Sequence, residues 1–79
     1  MNNGIGIPER HFIASTILSK DKYIERLKPL YRASAVTPDF DKVCRGYAIG
    51  LCQKKGFNFT PLDINAICSE VYSRFHFSI

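Results

Sequence analysis

Two Thr-Pro dipeptides, Thr37-Pro38 and Thr60-Pro61, constrain this chain more than any other feature, because each is a helix start and Gly56 stands between them as a stop. Threonine caps the first free N–H groups of a helix, and proline loses nothing at the first helical position, where its missing N–H has no partner. Asp39 and Asp41 follow the first start, in the turn where the helix dipole favours negative charge. Lys54 and Lys55 precede Gly56, so basic side chains meet the negative helix end and glycine supplies the left-handed cap. The sequence therefore predicts a helix from Pro38 to Lys55, with Phe40, Cys44, Tyr47 and Leu51 as its buried stripe. The second start opens another helix, with Asp63 in its first turn and Ile64, Ile67, Cys68, Val71 and Phe75 on one apolar face. Phe59, just before the cap, is placed to staple onto Ile64. The segments after the two starts align poorly, and a solenoid needs about three copies, so the repetition is reused capping chemistry.

Upstream, Ile13, Ile17, Ile24, Leu27 and Tyr31 share one helical face, with Phe12 and Leu18 beside it. Pro8 suits the first position of that helix. Pro29 removes a backbone donor and Asp21 has the character of an internal cap, which predicts a break near 19–21 or a kink near 28. The opening MNNGIGIP is Gly- and Asn-rich and reads as a flexible arm over 1–7, with Ile5 and Ile7 as its anchors. The expected architecture is all-α: a three- or four-helix bundle forming one domain over 8–79, preceded by that arm.

Size and composition narrow the function. A chain of 79 residues buries only about 60 % of its unfolded surface, which leaves little for a deep catalytic cleft. The net charge of +4 permits an acidic partner without requiring one. Cys44, Cys52 and Cys68 are odd in number, and no basic segment precedes a long apolar run, so the expectation is a reducing, cytoplasmic setting. The apolar runs fall far short of the roughly 20 residues that span a bilayer, so no membrane is expected.

Cys44 and Cys52 lie about 80° apart around a helix, and His11 and His76 near opposite ends of the sequence. No metal or other cofactor is expected from that pattern. Cys52 sits beside a helix C-terminus, whose negative dipole raises a thiol pKa, and no Cys-His or Ser-His-Asp arrangement is legible; an enzyme is not expected. Gly46 and Gly50, four apart in a helix, cost about 1 kcal/mol each relative to alanine. With Val43 and Tyr47 they form a smooth strip, expected to admit another helix of the same fold or, secondarily, a partner subunit in a homo-oligomer.

Two binding surfaces compete. Aromatic side chains dominate protein interfaces, and Tyr47, Phe57, Tyr72, Phe75 and Phe77 are the candidate anchors, with the tail YSRFHFSI carrying more aromatics than one helical face can bury. The alternative is nucleic acid, bound by Lys20, Lys22, Arg26, Lys28 and Arg32, although Asp21 and Glu25 interleave with that stripe. A helix-turn-helix around Gly56 would place Thr60, Leu62, Asp63 and Asn65 against DNA, and an acid there is a poor approach to phosphate.

Residues 23–64 resemble the nitrogen-fixation-associated leader-peptide family, small helical proteins and leader regions of ribosomally made natural-product precursors. The matching positions are Leu27, Thr37, Phe40, Val43, Gly56, Phe57, Phe59, Thr60, Asp63 and Ile64, centred on the Gly-Phe-x-Phe-Thr corner. The resemblance implies a docking module gripped by another protein. No Gly-Gly or Gly-Ala site follows the last helix, and the tail SEVYSRFHFSI lacks a run of Cys, Ser or Thr to modify. A stand-alone recognition protein is therefore expected rather than a precursor.

Overall fold

The computed structural model describes residues 4–78. Four α-helices follow one another: α1 (Ile7–Ser19), α2 (Asp21–Leu27), α3 (Pro38–Lys55) and α4 (Pro61–Ser78), with a 3-10 turn at Lys28–Leu30 after α2. The fold is a small all-α bundle, with no strand among the described residues.

Both Thr-Pro starts behave as their chemistry requires. The Thr37 hydroxyl oxygen accepts from the Phe40 amide at 3.1 Å and donates to the Leu30 carbonyl at 3.0 Å, capping α3 while closing the loop that leads to it. At the other end Gly56 takes φ 73°, a left-handed conformation in which its N–H reaches back to the last turn. At the start of α4, Thr60 and Asp63 form a reciprocal box: the Asp63 amide donates to the Thr60 hydroxyl at 3.3 Å, and the Thr60 amide donates to the Asp63 carboxylate at 2.9 Å.

The two interruptions expected as alternatives in the N-terminal half are both present. Lys20 is extended and separates α1 from α2, and the chain tightens into the 3-10 turn around Pro29. Asp21 differs from its expected role. Lys20 holds the cap position without a side-chain bond, and Asp21 lies in the first turn of α2, where the dipole rather than a capping bond favours it.

Long-range pairs fix the packing direction. Ile5 and Arg10 reach Asp63, His11 reaches Glu70 and Arg74 reaches Ser15, so α1 and α4 run parallel. The short corner at 56–60 makes α3 antiparallel to α4, with Phe40 meeting Tyr72 and Phe75. The core lies between these three helices: Ile13, Ala14 and Ile17 face Phe40, Cys44, Ala48 and Cys52, closed by Ile64, Ile67, Val71 and Phe75. Leu27 adds the contribution of α2.

Two expectations are corrected here. The part of the N-terminal arm that is described is tied down: Ile5 packs on the core and its amide donates to Asp63 at 3.0 Å. Ile7 begins α1 one residue before Pro8 and is exposed, so it anchors nothing; positions 1–3 of the arm lie outside the described residues. Gly46 and Gly50 are also exposed, and a Cβ at either would meet no atom within 4 Å. Val43 and Tyr47 of the same strip pack against the core, but among the described residues nothing packs on the two glycines, so internal close packing is not the reason for them.

Candidate functional site

The five aromatic candidates divide by how much of each ring the fold uses. Phe75 is fully buried, at the centre of a cluster with Tyr31 at 5.1 Å and Phe40 at 5.3 Å between ring centroids. It cannot anchor a partner, which corrects the expectation: it continues the Ile64, Ile67, Val71 stripe and closes the core. Tyr72 packs on Tyr31 and Phe40, and its hydroxyl donates to the Arg32 carbonyl at 2.5 Å, pinning the 31–37 loop to α4. Tyr47 stacks on Tyr23 at 4.4 Å and so joins α2 to α3, and Phe57 packs half-buried against the core. Phe77 alone of the five projects outward, 81 % exposed on the last turn of α4, with the His76 ring at 3.9 Å.

The basic stretch is on the surface but is not one free stripe. Lys20, Lys22, Arg26 and Lys28 are exposed, together with Asp21 and Glu25 between them. Lys22 lies 5.2 Å over the Tyr23 ring. Arg32 donates to the Pro29 carbonyl at 3.2 Å and the Tyr31 carbonyl at 2.8 Å, so its guanidinium holds the end of the 3-10 turn.

Three features of the interior escaped the sequence. The first is the partner set of Asp63, which is 1 % exposed. One carboxylate oxygen accepts from the Ile5 amide and from the amide and hydroxyl of Thr60, and the other accepts from Arg10, whose Nη2 is at 2.7 Å. Burial pushes this carboxyl up, but the bonds from Thr60, Arg10 and Ile5 outweigh it and hold it below the usual carboxylate range. The second is the meeting of Cys44 and Cys68 across α3 and α4. Their shared hydrogen bond, with burial, pushes the Cys44 thiol far up and leaves Cys68 as the member that carries charge more readily. The third is Glu70, which accepts from Arg74 at 2.8 Å and lies 2.7 Å from the His11 imidazole, a polar link between α1 and α4.

Cys52 is pushed up by burial and then by the nearby Asp63 charge, not chiefly by the helix end as expected, and a nucleophile needs the opposite shift. Among the described residues no three His, Cys, Asp or Glu side chains converge to hold a metal, and no helix is long and apolar enough to cross a membrane. Fold and surface together define a small helical bundle with a satisfied interior and an exposed aromatic at one helix end. No family model matches the chain, and comparison with curated proteins and with solved structures found no similar protein.

Proposed function

We propose that this is a small, non-enzymatic, cytoplasmic docking protein that acts by binding another protein, with Phe77 as an anchor. The observation that carries the reading is the exposure of Phe77 beside a core that has already absorbed the other aromatics of the tail. A large ring left in water at a helix end costs hydration free energy, and a partner surface would recover it. The resemblance to leader-peptide proteins, which are gripped by other proteins, supports the same reading.

Affinity purification from the native cell, run with and without nuclease, tests it. The expected result is a defined protein that survives nuclease and is lost with Phe77→Asp while the variant keeps the melting temperature of the parent. Material that disappears with nuclease and is insensitive to Phe77→Asp would assign the binding to nucleic acid on Lys20, Lys22, Arg26 and Lys28. Light scattering on the purified protein separates a third arrangement, in which the open Gly46–Gly50 strip joins two copies.

A further inference from the structure

A surface depression of about 280 Å³ lies where the end of α1 meets the last turns of α3, and it does not include Phe77. Its floor is apolar: Ile13 is fully buried, Leu51 nearly so, and Phe12 remains 45 % exposed although it sits on a helix of the core. Its rim is cationic, formed by Lys20 from the α1–α2 break and by Lys54 and Lys55 from the last turn of α3. Lys55 holds its ammonium 5.2 Å over the Phe12 ring. The hydroxyls of Thr16 and Ser19 are turned into their own helix, donating to the Phe12 and Thr16 carbonyls at 2.8 and 3.1 Å. No acid lines the depression, and among the described residues none of the three lysines is ion-paired.

The α3 dipole accounts for Lys54 and Lys55 at a helix end, but not for Lys20, which reaches the same rim from another element. Three like charges around a low-dielectric floor focus a positive potential on one spot. We propose that this depression receives an acidic peptide segment of a partner protein, with one apolar side chain seated on Phe12, above the buried Ile13 and Leu51, and flanking carboxylates on Lys20, Lys54 and Lys55. The volume suits one large side chain, and the three lysines come from two separate stretches of the chain to line one depression. That shape matches a carboxylate-flanked anchor better than a phosphate backbone, whose contacts run along a line and which gains nothing from an apolar floor.

The test is amide and methyl NMR of the full chain titrated with an acetylated peptide carrying a single central Phe flanked by three Glu on each side. Shifts are expected at Phe12, Ile13, Leu51, Lys54 and Lys55. Replacing the central Phe of the peptide by Ala, or combining Lys20→Glu with Lys55→Gln in the protein, is expected to weaken binding about tenfold. The double variant is checked for an unchanged melting curve, and Phe12→Ala serves as a second probe of the floor. No shift at Phe12 and Leu51 at millimolar peptide overturns the proposal, as does equal binding of the alanine peptide, which would mean charge attraction alone. An oligothymidylate that binds more tightly and shifts Lys22 and Arg26 instead also overturns it. Phe77→Asp is expected to leave this titration unchanged, so failure here and failure at Phe77 are read separately.

Discussion

Asp63 shows how one side chain can be local and global at once. As the third residue of α4 it closes a capping box with Thr60, and as a buried charge it gathers Arg10 and the Ile5 amide from the other end of the sequence. The Thr-x-x-Asp spacing made the cap legible, but an acid in a first turn is equally explained by the dipole, and nothing local announces a partner at position 10. The depressed pKa of Asp63 fixes a sign. Its stabilising contribution is fully present above the ordinary value of about 4 and is lost as pH falls through the lower folded value. Asp63→Asn is therefore expected to lower stability at pH 7 by about 2–3 kcal/mol and to flatten the loss of stability as pH falls below the ordinary carboxylate range, read from melts at successively lower pH. A variant that kept the parent's acid limb would show that another carboxylate governs it. Gly4 belongs to the same cluster. It takes φ 137°, and a Cβ there would come within 2.8 Å of the Asp63 carboxylate, so Gly4→Ala is expected to lower the melting temperature although the position precedes the first helix. Phe75 carries the complementary lesson. Its place on the stripe of Ile64, Ile67 and Val71 marked it as core even as it stood among the candidate anchors, and the aromatic excess of the tail did not say which ring would be left over: it is Phe77, two residues on and so on a different face.

At the scale of elements, α3 and α4 were readable because their ends are chemical: a capped Thr-Pro at each start and Gly56 at the stop between them. The α1–α2 boundary was readable only as an interval, since the extended Lys20 has no side chain that forces a break and the decision falls to packing. The glycines of α3 could not be resolved from sequence at all, because a helical Gly-x-x-x-Gly has the same pattern whether it faces a neighbour or water. Facing water, with open space where a Cβ would stand, each glycine weakens α3 without an internal return. Gly46→Ala and Gly50→Ala are each expected to stabilise the protein by about 1 kcal/mol, or roughly 4–8 °C in melting temperature. If either substitution also abolishes a dimer seen by light scattering, the strip is a subunit contact. The thiol pair belongs to this scale too: Cys44 and Cys68 meet only because α3 and α4 are antiparallel in one register, which spacing along the chain does not specify.

The whole molecule depends on a few large side chains shared among helices. Phe75 joins α4 to α3 through Phe40 and to the preceding loop through Tyr31. Its removal opens a cavity in a domain with few alternatives for refilling it. Phe75→Ala is expected to cost about 3–5 kcal/mol, enough to lower the melting temperature by about 15 °C or more, whereas Phe77→Ala should leave the melt within about 2 °C. Similar melts for the two variants would contradict the division between core and surface drawn for the tail. The parallel arrangement of α1 and α4 was beyond sequence reading, because short loops fix only neighbouring helices and α1 meets α4 across two intervening α-helices. It bears on how the protein is made. A chain emerging from the ribosome exposes α1 well before α4, and although α3 can cover part of the face formed by Ile13, Ala14 and Ile17, that face is closed only once α4 has been made. Until then the nascent protein carries a half-covered apolar helix, and a chaperone that binds such helices would meet it in that interval.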